Sequence, residues 1–173
     1  MSRRIILSGV HGVGKGYFIK NKLEHISNLT VISASGIIAQ YHDAEDAGNK
    51  RVNDVDGNQK LLLEAVKSFF EIHKETVLMA GHLVILDAND NIKKIPTSFF
   101  EKGMFDTIIL LQDEVQLIYD RLYARDGTHK LEMNLIDQIR KKKEEYAMEL
   151  KRQGIKVYHI TPFSEESKYI DLF

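Results

Sequence analysis

The residues with the clearest chemical purpose are Gly9-Val10-His11-Gly12-Val13-Gly14-Lys15-Gly16, followed by Tyr17. They fit G-x-x-x-x-G-K, a pattern that wraps phosphate groups. Glycines let the backbone turn its N–H groups toward phosphate oxygens. The start of a helix adds partial positive charge, and Lys15 adds a point charge for the terminal phosphates. Without an anion the run makes little sense. A lysine in the first turn of a helix opposes the helix dipole, and four glycines in eight residues cost chain entropy. A nucleoside triphosphate, ATP or GTP, is the expected ligand of Gly9 to Tyr17. The pattern departs from its usual form at Gly16, where a Ser or Thr hydroxyl normally ligates magnesium. Magnesium commonly keeps several waters, so a water in place of the hydroxyl is one reading, and weak metal binding is the other. His11 reads as a loop-packing or phosphate-contacting residue.

Further candidates follow downstream. Asp87 ends the apolar run HLVILD. A carboxylate there suits a magnesium-bound water or a hydroxyl proton, and an aspartate there also suits a turn. Asn89 stands two residues on. Arg121 and Arg125 are one helical turn apart in YDRLYARDGTHK. Together they suit a migrating phosphoryl group, although cations near a helix C-terminus are favoured by the dipole in any case. Arg51 suits a second phosphate and Gln59 a base edge. Ser33 and Ser35 stand within plausible reach of a phosphoryl acceptor, or cap a helix. The run Arg140 to Glu145 reads as a solvated helix face with an Asp137–Lys141 pair.

These residues need a scaffold, and the sequence supplies one. The chain has 173 residues, 43% of them hydrophobic, enough for one domain with a core. Net charge is −1, so no basic field argues for nucleic acid. The absence of cysteine excludes disulfides and thiolate metal sites. No apolar run approaches a membrane span, and the N-terminus does not read as a signal peptide; a soluble cytoplasmic protein is expected. Five strands are predicted: Ile5–Ser8, Thr30–Ser33, His82–Asp87, Asp106–Gln112 and Lys156–Thr161. Helices are predicted at Lys15 to Ile26, Ser35 to Gln40, Gln59 to Glu75, Glu114–Arg125 and Glu132–Gln153. A polar, mobile excursion is expected from His42 to Asn58. Strands with continuous apolar centres alternating with helices imply an α/β fold, a parallel sheet covered on both faces. Ligands of such sheets bind beyond the C-terminal strand ends. Ser8–Gly9, Ser33–Ser35, Asp87–Asn89 and Gln112–Asp113 are therefore expected to ring one site.

In order along the chain, GVHGVGKGYF, VISASGI, NQKLLLEAV, VILDAND and IYDRLYARD resemble the P-loop nucleotide kinases. The nearest branch is the archaeal-type adenylate kinases and the small bacterial ATP-binding proteins similar to them. The resemblance implies a single P-loop domain over 1–173 with a five-stranded parallel sheet. It also implies a nucleoside-monophosphate region near 35–75 and a short lid near 121–131. The implied activity is phosphoryl transfer from magnesium–ATP to a nucleoside monophosphate, as in an adenylate-like kinase, with Lys15 and the lid arginines, Arg121 and Arg125, stabilising the transferring group; Asp87, read from its strand end, completes the expected catalytic set on the metal shell. The competing expectation is an ATP-binding switch with slow or absent hydrolysis and a protein partner, which Gly16 and the polar 42–57 stretch both suit.

Overall fold

The structure, a computed structural model, describes residues 2–44, 55–128 and 130–173. Five strands form the main sheet: β1 (Arg4–Ser8), β2 (Leu29–Ser33), β3 (Thr76–Ala80), β6 (Thr107–Leu111) and β7 (Lys156–Ile160). Their spatial order is β2-β3-β1-β6-β7, all pairings parallel. Two more, β4 (Val84–Leu86) and β5 (Ile92–Lys94), form a separate antiparallel hairpin. The helices are α1 (Lys15–Phe18, continued by a π-helical turn, Ile19–Leu23), α2 (Ala34–Ala44), α3 (Val55–Ile72), α4 (Val115–Asp126) and α5 (Met133–Arg152). This is the α/β arrangement, a parallel sheet covered by helices, that the alternation of elements predicts, with the five strands that the resemblance implies.

The central strands β1, β3 and β6 explain the burial. Ile5, Ile6, Leu7, Val77, Leu78, Ile108 and Ile109 are fully enclosed, because helices cover both faces. Helix α5 contributes a stripe at helical spacing, Ile136, Ile139, Tyr146, Ala147 and Leu150. Tyr146 also donates its hydroxyl to the Ile95 carbonyl at 2.7 Å, which ties the segment after β5 to α5.

Two expectations are corrected here. The third strand of the sheet is Thr76–Ala80 rather than His82–Asp87. Gly81 breaks one long apolar stretch in two, and the first half, buried on both faces, takes the place beside β1. The second half turns out of the sheet into the hairpin. The polar stretch from His42 also differs. Helix α2 runs on to Ala44 and α3 begins at Val55; the rest of the expected excursion, including Arg51, lies outside the described residues.

Candidate active site

The loop between β1 and α1 is set by its glycines. Gly12 and Gly14 have φ of 82° and 108°, a region that side-chain-bearing residues rarely adopt. A Cβ on Gly12 would also stand 2.7 Å from the Leu122 side chain. Val10 and Val13 are buried and anchor the loop in the core, so their contribution to a ligand is through backbone. Tyr17 is exposed and packs against Phe163, the ring centres 5.1 Å apart and the planes tilted by 50°. Lys15 folds back over its own loop: Nζ donates to the Gly9 carbonyl at 2.9 Å and to the Val10 carbonyl at 3.3 Å. Burial pushes its pKa down to about 8. A phosphate oxygen in the loop would replace those carbonyls with an anionic acceptor and restore the charge. Gly16 has no positive φ, and a Cβ there meets nothing within 4 Å. The missing hydroxyl is therefore not imposed by the backbone.

Arg121 is built into the loop. Its Nη1 donates to the Val13 carbonyl at 3.3 Å and its Nη2 to Asp113 at 2.7 Å, while the guanidinium lies 5.5 Å from the Phe163 ring centre. Arg125 is more open: its side chain is 60% exposed and it pairs with the adjacent Asp126 at 2.8 Å. Gly127 then ends α4 with φ 69°. The lid expected over 121–131 is thus the last turns of α4 plus the short link to α5, with His129 outside the described residues.

Five predicted site residues stand outside the loop. Asp87 sits in the β4–β5 turn. Its carboxylate accepts from the Asn89 N–H, the Asn91 N–H and the Asn91 side chain, at 2.8 to 3.1 Å, and Lys93 lies 3.7 Å away. Those hydrogen bonds hold its pKa below the usual carboxylate value. It is a turn former in the β4–β5 hairpin and does not end a strand of the parallel sheet, which corrects the strand placement on which its magnesium role was expected. Asn89 shares that exposed turn. Ser33 and Ser35 stand at the start of α2, where the Ser33 hydroxyl accepts from the Gly36 N–H at 3.0 Å and pairs with the Ser35 hydroxyl at 3.1 Å; capping is what the structure gives them. Gln59, near the start of α3, has its Oε1 buried with no hydrogen-bond partner among the described residues.

The position beside the loop that Asp87 was expected to occupy belongs to His82, just past the end of β3. Against it lies a residue that the sequence reading placed on a solvated face. Lys143, on α5, is only 2% exposed. Its Nζ lies 3.1 Å from the Gly9 carbonyl, 3.1 Å from His82 Nδ1 and 3.4 Å from the Ser8 hydroxyl. Burial, then the neighbouring Lys15, holds its pKa well below the lysine norm. The His82 imidazole falls to about 2, through burial and then through Lys143 and Lys15, and so stays neutral. The His11 ring packs on His82 at 4.7 Å, and burial and the same lysines lower its pKa as well. A cleft of about 270 Å³ opens beside these rings, walled by Val84, Ile85, Leu86, Leu131, Ile136 and Ile139. The signal for Lys143 was legible: it lies four residues after Ile139 and three before Tyr146, on the buried stripe of α5.

The donor set does not suit magnesium. A hard divalent ion takes oxygen ligands, carboxylates above all. Position 16 offers no oxygen, and the end of β3 offers an imidazole. Asp113 is engaged by Arg121 and by the Glu114 N–H. Among the described residues no cluster of three metal-ligating side chains exists.

The comparisons agree with this architecture. The sequence profile of a family described as "AAA domain" matches residues 8–140. No curated protein matches the sequence. Among solved structures, a tunicamycin resistance protein from Deinococcus radiodurans is similar with a TM-score of 0.57 at 16% identity, over 93% of this chain and 86% of that one. A gluconokinase from Sinorhizobium meliloti 1021 is similar with a TM-score of 0.51 at 14% identity, over 98% of this chain and 87% of that one. At such identities the likeness is one of fold. Among the described residues, no helix is long and apolar enough to cross a membrane.

Proposed function

The chain belongs to the AAA-domain family with a P-loop kinase-like fold, and on that premise we propose that it is a phosphotransferase passing the terminal phosphoryl group of ATP, or GTP, to a small molecule. The single observation that carries the proposal is the loop itself. Lys15 is held on the Gly9 and Val10 carbonyls with its charge weakened by burial, and Arg121 is tethered to the same loop through Val13. A loop lysine that has only carbonyl acceptors among the described residues is suited to a polyphosphate. An oxygen of the acceptor attacks the γ-phosphorus as the bond to the β–γ bridging oxygen breaks, and the nucleoside diphosphate leaves. The protein's part is positioning and charge. Lys15 and the loop amides hold the phosphates, Arg121 steadies the loop, and Arg125, the more exposed guanidinium, meets charge on the moving group. The acceptor class we favour is a nucleoside monophosphate, because the unpartnered amide oxygen of Gln59 suits the N–H edge of a base.

A second reading, an ATP-binding switch with slow or absent hydrolysis, is favoured by one observation, the poor donor set for magnesium. One experiment separates the two. The purified protein is incubated with ATP and a panel of nucleoside monophosphates and other small acceptors, and nucleoside diphosphates are followed by phosphorus NMR. Equal formation of ADP and phosphorylated acceptor supports the kinase. ATP bound but unchanged with every acceptor overturns it in favour of the switch.

A further inference from the structure

We propose that this site holds a nucleoside triphosphate without a divalent cation, the buried Lys143 ammonium supplying with Lys15 the positive charge that a bound metal ion would otherwise bring. The inference rests on the nucleotide-binding reading above.

The first support is geometric. Two lysines, Lys15 from α1 and Lys143 from α5, bring Nζ to the same Gly9 carbonyl oxygen, at 2.9 Å and 3.1 Å. The other groups against Lys143 are the Ser8 hydroxyl at the end of β1 and the neutral His82 ring. On its own helix, Arg140 is turned to Asp137. Among the described residues no carboxylate faces either lysine. Burying an ammonium without a counter-ion is costly, and bringing a second one to the same acceptor adds repulsion. A polyanion in the loop removes both penalties, because each lysine exchanges a shared carbonyl for a phosphate oxygen of its own.

The second support is independent of the first and concerns ligands. Where loops of this kind place a metal-binding hydroxyl and a strand-end carboxylate, this chain has Gly16 and His82. A neutral imidazole wedged against an ammonium does not attract a hard cation. The lysine ammonium is a compact point charge with three donors, and the Lys143 Nζ already stands 3.1 Å from the loop carbonyl of Gly9.

Calorimetry tests the proposal. ATP affinity is measured for the wild type in EDTA and again in excess magnesium, then in EDTA for Lys143→Met, whose melting temperature checks that it folds. The expected result is wild-type affinity equal within about two-fold in the two conditions, and a loss of at least ten-fold in the variant. Magnesium tightening wild-type binding ten-fold or more overturns the inference whether or not the variant folds. So does a folded Lys143→Met that binds ATP as the wild type does. Absence of ATP binding in both conditions overturns the nucleotide reading itself.

Discussion

At the scale of single residues, the two arginines that sequence spacing pairs are not equivalent. Arg121 bridges the Val13 carbonyl and Asp113, so it holds the loop in shape before any ligand arrives. Arg125 is 60% exposed and pairs with the adjacent Asp126 rather than with the loop. Arg125→Ala is expected to lower the turnover of phosphoryl transfer by at least about a hundred-fold with ATP affinity within a few-fold, since such a residue acts on the transition state. Arg121→Ala is expected to weaken ATP affinity and lower the melting temperature as well. Steady-state kinetics beside calorimetry checks the split, and loss of ATP affinity in Arg125→Ala alone would reverse the two assignments. Lys15→Ala is expected to cost ATP affinity about 10- to 100-fold, the worth of a charge-assisted hydrogen bond; equal affinity in calorimetry would remove Lys15 from the site. Lys15 stands out in the sequence because the pattern that points to it is written in adjacent residues. Lys143 was read as surface because it lies in a run of charges, where composition hides a helical period that places it inside.

At the scale of elements, most of the sheet was legible because a buried strand is an apolar run ended by a turn residue. The exception is instructive. TVLMAGHLVILD contains two such runs, and the carboxylate at its end made the second the more attractive strand. Sequence alone does not say which run pairs with β1; that depends on the helix α3 delivering the chain at Thr76 and on Gly81 donating to the Leu7 carbonyl at 3.0 Å. Once β3 takes that place, Asp87 is carried out to the tip of a hairpin whose turn it organises. Asp87→Ala is therefore expected to lower the melting temperature by loosening the hairpin while ATP affinity stays unchanged. A marked loss of nucleotide affinity in the folded variant would return Asp87 to the phosphate site. Ser33 makes a similar point. A serine after a strand and before a helix satisfies free N–H groups first, and the Ser33 hydroxyl is engaged in that way.

At the scale of the whole molecule, the nucleotide site and the fold pull against each other through protons. Lys15 titrates near 8 in the folded protein and near 10.4 in an unfolded chain. Between those values the unfolded state holds more protons, so this group makes the empty protein more stable as pH rises. Lys143 acts in the same direction. The window closes above about pH 10, where Tyr146, whose hydroxyl burial pushes up to about 12, reverses the slope by binding a proton only in the folded state. Triphosphate binding has the opposite sign. It favours the charged lysine, takes up a proton above about pH 8, and weakens as pH rises further. At a hundred-fold excess over its dissociation constant, ATP adds about 2.7 kcal/mol of stability, roughly 5–10 °C in melting temperature for a chain of this size. Thermal melts at about pH 7.5 and about pH 9.5 are expected to show the empty protein gaining stability while the increment from a fixed ATP concentration shrinks. In Lys15→Ala both trends should flatten, because helix α5 and the sheet remain and only the titrating ammonium in the loop has gone. An ATP increment that grows with pH, or a wild-type slope that survives unchanged in Lys15→Ala, would mean that the loop lysine keeps its proton in the empty protein and that its burial does not govern the site.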